Sequence, residues 1–145
     1  RRGYNIHSLS VGETEDPSIS RMTIVVDANE QILEQIKKQL NKLIDVIKVL
    51  ELTGDVAVYR ELALIKVRTK KETRAEVIEI ANIFRARIID VASESLMIEA
   101  TGDQGKLTAL INLLEPYGLK EVIRTGLTAL ERGDKELKAN DVNTQ

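Results

Sequence analysis

Cysteine and tryptophan are absent from this 145-residue chain, and histidine occurs once. Without cysteine the chain can form no disulfide, no Cys-type zinc site and no thiol nucleophile. This is consistent with a reducing cytoplasm, where we expect the protein to be located. The single histidine, His7, has no acidic residue at ligand spacing within its own strand. This favours a surface or interface residue over a catalytic triad or a two-histidine metal site. Aromatic residues make up only 3% of the chain, so its cores must be aliphatic.

A basic excess and a long apolar run are also missing. The net charge of −2 predicts no large nucleic-acid footprint, and the strands lack the stacked aromatics of an RNA-binding sheet. No apolar run approaches the roughly 20 residues that a membrane span needs, and no signal peptide is visible. What the chain does have is 43% hydrophobic and 30% charged residues, enough for one packed domain or two small ones.

The chain opens with two predicted strands, residues 5–12 and 20–26. Asp16-Pro17 initiates the turn between them, because proline moves the preceding residue out of the helical region. Asn5 lies where the first strand begins. Its amide can offer a donor and an acceptor to a ligand or a neighbouring chain, and capping of a turn is the alternative interpretation.

A helix and a third strand complete the first half. Either Asp27 or Asn29 can cap the helix, and the β-branched segment 46–52 predicts a strand that Thr53-Gly54-Asp55 ends. The order is therefore β-β-α-β. The apolar stripe of the helix, at helical spacing, consists of Ile32, Leu33, Ile36, Leu40 and Leu43.

The second half predicts a longer version of the same order, β-α-β-β-α-β, which is the ferredoxin-like pattern. Thr73 can cap its first helix. Pro116 and Gly118 end the second helix, whose apolar face includes Leu107 and Leu110. The predicted strands are residues 62–68, 87–92, 96–101 and 119–125.

The two halves can be laid over one another, since strand, helix and strand recur in the same order at similar lengths. The predicted fold class is therefore α+β with two ferredoxin-like (βαββαβ) domains, of which the N-terminal one lacks its first strand and helix in this chain. The predicted boundaries are 1–53 for the truncated N-terminal domain, 54–130 for the C-terminal domain and 131–145 for a polar, loosely held tail.

No motif in the chain predicts catalysis. The segment from Gly102 to Lys106 has two residues between its glycines where a phosphate loop has four, so it predicts a helix N-terminus, with an anion site as the alternative. A basic cluster interleaved with Glu72 and Glu76 predicts a solvated loop, with phosphate contact as the alternative. Its members are Arg68, Lys70, Lys71 and Arg74. We therefore expect a protein that binds and transmits a signal rather than one that catalyses a reaction.

Several long strings of the sequence carry a family resemblance. They are "RGYNIHSLSVGETEDPSISRMTI", "LEQIKKQLNKLIDVIKVLEL", "FRARIIDVASESLMIEATG" and "RTGLTALERGD". The chain resembles the acetolactate synthase (acetohydroxyacid synthase) small-subunit family over nearly its whole length, and its first half is similar to the family's amino-acid-binding ACT domain.

The resemblance implies a non-catalytic regulatory subunit in branched-chain amino acid biosynthesis. Its partner would be a catalytic large subunit that carries thiamine diphosphate, Mg²⁺ and FAD, with no cofactor and no metal on this chain. It would activate that subunit and confer feedback inhibition by valine or a related amino acid. The effector would bind between the ACT domains of a homodimer.

The same resemblance implies Asn5 as an effector-binding residue, with Ile6 as its apolar neighbour. The glycine-containing loop that completes the family's site is absent from this chain. A free-standing ACT-type amino-acid sensor with a different partner is the alternative. A small ferredoxin-like enzyme is disfavoured, because no nucleophile or base cluster is visible.

Overall fold

The computed structural model describes residues 5–137 as an α+β arrangement of two antiparallel sheets and three α-helices. Residues 138–145 of the predicted tail lie outside the described part. No helix within residues 5–137 is long and apolar enough to cross a membrane. The elements are β1 (Asn5–Glu13), β2 (Ser20–Asp27), α1 (Glu30–Asn41), β3 (Ala57–Arg68), α2 (Arg74–Ile83), β4 (Arg87–Val91), β5 (Ser95–Gly102), α3 (Gln104–Leu114), β6 (Leu119–Arg124) and β7 (Thr128–Glu131).

The first two strands form a hairpin, and the predicted turn at Asp16 closes it. Asp16 Oδ1 accepts hydrogen bonds from the Ser18 hydroxyl at 2.8 Å and from the Ser18 N–H at 3.0 Å. Both hydrogen bonds stabilise the ionised carboxylate and so lower the pKa of Asp16, and the bond from the hydroxyl has the larger effect. Both strand predictions are confirmed to within one residue of their ends.

Helix α1 begins as predicted, with Asn29 rather than Asp27 as its cap. Asn29 Oδ1 accepts from the Ile32 N–H at 2.9 Å. The helix ends at Asn41, so Leu43 is not part of its stripe and stays 55% exposed. The rest of the stripe is only half-buried, because few described residues pack against it.

The predicted strand over residues 46–52 is wrong: this segment has no regular structure. In the second unit the strand at the corresponding position is β6, which pairs with the opening strand β3. No counterpart of β3 for the first unit lies within residues 5–137. A β-branched segment without a partner strand makes no ladder hydrogen bonds, whatever its propensity.

The second unit is a complete ferredoxin-like domain with an aliphatic core. Its sheet has the order β4-β5-β3-β6, and α2 and α3 cover one face. Burying each large side chain there contributes about 1.5–3 kcal/mol relative to exposure. The buried cluster comprises Ala63, Ile65, Val67, Val77, Ala81, Leu96, Ile98, Ala100, Leu107, Leu110 and Leu114.

The two helices of this unit begin differently. Thr73 precedes α2, but its hydroxyl does not cap the helix and instead accepts from the Lys70 N–H at 2.9 Å. Asp103 does cap α3, accepting from the Lys106 N–H at 2.9 Å. The Gly102–Lys106 segment is therefore a helix N-terminus, and a carboxylate already lies where an anion would bind.

Strand β3 is five residues longer at its start than the sequence predicts, and β7 is an addition. Residues 57–60 pair with β7, from Ala57↔Glu131 to Arg60↔Thr128. The paired segments form a two-stranded ribbon (57–60 with 128–131) that extends the main sheet. Glu131, assigned to the tail from sequence, thus belongs to a strand.

A single buried acid lies where this ribbon joins the main sheet. Glu61 is 5% exposed, and its Oε1 accepts from the Arg124 guanidinium at 2.9 Å. Its Oε2 accepts from the Gly126 N–H at 3.1 Å. Thr125 Oγ1 accepts from the Leu62 N–H at 3.1 Å, which completes the corner between β6 and β7.

Replacing this acid should be costly. Glu61→Ala should lower the free energy of unfolding by about 2–3 kcal/mol, because Arg124 and the Gly126 N–H lose their acceptor. The matched control is Glu121→Ala, whose carboxylate is 73% exposed and lies 3.3 Å from Lys66. That variant should lose less than about 0.5 kcal/mol. Urea unfolding followed by circular dichroism measures both, and equal losses would contradict the role given to Glu61.

Candidate functional site

The β1–β2 hairpin has two chemically different faces. Directly paired residues share a face, and the register pairs Leu9 with Ile24 and Val11 with Met22. A bulge at His7 then brings Ile6 opposite Val26, so Ile6 joins this apolar face although it lies three residues from Leu9. The hairpin's apolar face is Ile6, Leu9, Val11, Met22, Ile24 and Val26.

This apolar face is largely uncovered. Ile6 is 60% exposed, Leu9 53%, Val11 58% and Met22 56%. Contiguous exposed side chains of this kind mark contact surfaces in folded proteins. The outer edges of β1 and β2 also carry no further strand among the described residues, so their backbone groups are open to pairing.

Asn5 and Ile6, the predicted effector residues, are adjacent but lie on opposite faces. Asn5 pairs with Asp27 and is exposed at the start of β1. Its side chain forms no hydrogen bond with another of residues 5–137. His7 lies at the bulge between Ile6 and Ser8 and is exposed, with its Nε2 3.9 Å from Asp27 Oδ2.

The middle of β1 contacts the corner that Glu61 organises. The Leu127 N–H donates to Ser8 Oγ at 3.4 Å. Gly126, at φ +88°, approaches so closely that a Cβ there would lie 3.1 Å from the Leu9 carbonyl oxygen. Only glycine adopts this conformation beside another backbone without strain.

Sequence reasoning missed this contact between the two units. Two signals for it were visible in the sequence. Glu61 is a charged residue at a position whose period-two neighbours Ala63 and Ile65 face the core. Thr125-Gly126 interrupts an otherwise continuous strand pattern. Neither signal says which distant residue completes the contact.

Comparison with known proteins divides the chain at the same place as the structure. Residues 1–48 match a family model described as an AHAS small subunit-like ACT domain. Residues 60–133 match one described as the small subunit of acetolactate synthase. The chain belongs to the acetolactate synthase small-subunit family. The hairpin and α1 fall in the first matched segment, and the complete ferredoxin-like unit falls in the second.

Individual members of the family are similar over most of their length. The acetolactate synthase small subunit of Mycobacterium leprae is 56% identical over 93% of this chain and 80% of its own. The probable small subunit of Archaeoglobus fulgidus is 54% identical over 94% and 85%. The crystal structure of the Thermotoga maritima small subunit superposes with a TM-score of 0.84 at 44% identity, covering 93% and 84%.

The contact between the units can be tested with a matched pair of glycines. Gly126 and Gly133 have similar φ angles, +88° and +84°, but a Cβ at Gly133 would meet nothing within 4 Å. Gly133→Ala should cost about 1 kcal/mol of backbone strain. Gly126→Ala should cost at least about 1 kcal/mol more, because Leu9 has to move.

The measurement is urea unfolding together with amide chemical shifts. Shifts of Ser8 to Ser10 should change in the Gly126 variant and stay unchanged in the Gly133 variant. If both variants lost the same stability and left β1 undisturbed, the close approach of Gly126 to Leu9 would be ruled out.

Proposed function

We propose that this chain is a non-catalytic regulatory subunit that binds, activates and gives feedback control to a catalytic acetolactate synthase large subunit. The observation that carries the proposal is the family match of both units, to proteins named as acetolactate synthase small subunits. The thiamine diphosphate, Mg²⁺ and FAD of the reaction would all belong to the large subunit. A free-standing amino-acid sensor with another partner is the alternative.

The polar groups of the described residues support a binding role. The one histidine is exposed and lies at the limit of ion-pair distance from Asp27. Among residues 5–137 no group of three histidine or acidic side chains is arranged to hold a metal ion. The pKa of Tyr117 is raised, because its hydroxyl donates to the Glu76 carboxylate at 2.7 Å, and this opposes the ionisation a tyrosine base would need.

The uncovered hairpin supports assembly through the N-terminal unit. An apolar face and open strand edges in one small element favour pairing with another copy. The proposed assembly is a homodimer in which the N-terminal ACT domains lie together. The complete C-terminal unit, with its own closed core, can keep its fold whether or not that pairing occurs.

The proposed effector is valine or a similar amino acid, bound near Asn5 in the crevice between two protomers. A buried ammonium or carboxylate needs hydrogen-bond partners. The Asn5 amide supplies them without adding charge, and no described residue already occupies it. Ile6 lies on the other face of β1, so its contact with an effector would require the strand edge or the partner protomer to contribute.

Reconstitution tests the regulatory role. The chain alone should give no acetolactate from pyruvate, and mixing it with the large subunit from the same source should raise that subunit's turnover several-fold. The assay is acetolactate formation in preparations freed of contaminating synthase. Stable co-purification with activation would separate this role from that of a free-standing sensor. Turnover by the chain alone, or no interaction with the large subunit, would refute the proposal.

Asn5→Ala, made in the intact protein, should weaken valine binding by about 10- to 100-fold, since a hydrogen bond to a charged group contributes roughly 1.5–3 kcal/mol. Activation of the large subunit should survive. The control is Asn112→Ala, which removes an exposed amide from α3. Calorimetry and inhibition curves measure the change, and unaltered valine sensitivity would exclude Asn5 from the site.

A further inference from the structure

A cleft of about 380 Å³ lies between the hairpin and the ribbon. The hairpin contributes the face opposite its apolar one, since Gly12 pairs with Arg21 and Ser10 with Thr23. The ribbon contributes one face as well, because Val58 pairs with Leu130 and Arg60 with Thr128. The cleft is thus bounded by two opposed β-surfaces that belong to different units of the chain. Its lining includes Ser10, Arg21, Thr23, Val58, Arg60 and Leu130, together with Val11 and Glu13 from the hairpin's other face.

The charge in this cleft is unbalanced. Arg21 is half-buried, yet no carboxylate among residues 5–137 lies within 4.0 Å of its guanidinium. Arg60 is exposed, has no ion-pair partner in the described part of the chain, and donates to its neighbour's backbone, Tyr59 O, at 2.8 Å. Glu13 borders the cleft but pairs with Ser20 on the hairpin's apolar face. Two guanidiniums therefore line a recess whose anion is not supplied by these residues.

The remaining lining indicates what kind of anion fits. The hydroxyls of Ser10 and Thr23 can donate hydrogen bonds to oxygen, while Val58 and Leu130 offer hydrocarbon surface. A phosphate would satisfy the guanidiniums, but the phosphate itself would then lie against the apolar side chains of Val58 and Leu130. A planar carboxylate suits the fork of an arginine, and a short hydrocarbon body suits the valine and leucine.

We propose that this cleft binds a small aliphatic carboxylate, with its charged end at Arg21 and Arg60 and its hydrocarbon against Val58 and Leu130. The site lies at the opposite end of β1 from Asn5, about 23 Å away along seven residues of strand. It does not depend on the proposed effector position or on the proposed regulatory function. A ligand there would touch both units at once.

Nuclear magnetic resonance titration of the full chain with isobutyrate tests the proposal. Gly12→Leu adds a bulky side chain to the cleft lining, at a position where a Cβ meets no atom within 4 Å. Arg21→Gln removes the half-buried charge and keeps a polar side chain. The control is Arg87→Gln, which removes an exposed arginine from β4. Inorganic phosphate and isobutanol, each in a separate titration, supply the charge alone and the hydrocarbon alone.

Isobutyrate should shift the amides of Ser10, Gly12 and Thr128, and Arg21→Gln and Gly12→Leu should each raise the dissociation constant at least tenfold. Arg87→Gln should leave it unchanged. The absence of shifts up to roughly 50 mM, above the millimolar affinity expected of so small a ligand, would overturn the proposal. Unchanged binding of isobutyrate in Gly12→Leu would also overturn it. The same holds if phosphate or isobutanol binds in the cleft as tightly as isobutyrate does.

Discussion

The buried carboxylate of Glu61 stabilises the corner between β6 and β7, and this corner is where the two units of the chain contact each other. One of its oxygens accepts from Arg124 and the other from the Gly126 N–H. These bonds bend the chain between β6 and β7, and the bend brings Gly126 against the backbone of Leu9. A charge that would be costly to bury alone is tolerated because both of its oxygens are occupied. The corner that these bonds stabilise is also where the hairpin contacts the second unit.

The two units differ in how completely they bury their apolar residues. In the C-terminal unit, two helices close an aliphatic core over one face of a four-stranded sheet. In the hairpin, Ile6, Leu9, Val11 and Met22 are each more than half exposed. A stable layer architecture covers such a face with a second layer. The C-terminal unit therefore closes its own core, while the hairpin leaves an apolar face uncovered among the described residues.

The bulge at His7 has a direct consequence for the proposed effector site. It shifts the alternation of side chains by one residue, which places Ile6 on the apolar face and Asn5, opposite Asp27, on the other. Two residues that are adjacent in sequence thus serve different surfaces. The amide is suited to polar groups of a ligand, whereas Ile6 is suited to contact with another protein layer. Without the bulge, period-two alternation from Leu9 would place Asn5 on the apolar face and Ile6 on the other.

The sequence by itself determined the elements whose signals are local. Asp16-Pro17 predicted the hairpin turn, Asn29 the start of α1, and apolar periodicity the core of the C-terminal unit. The tertiary structure decided what depends on distant partners. Residues 46–52 have strand composition but no neighbouring strand, and residues 128–131 form a strand because residues 57–60 extend far enough to pair with them. The contacts of Glu61 span more than 60 residues of sequence. Local pattern encodes propensity, but hydrogen-bond pairing across a sheet is satisfied only when the folded chain brings both strands together.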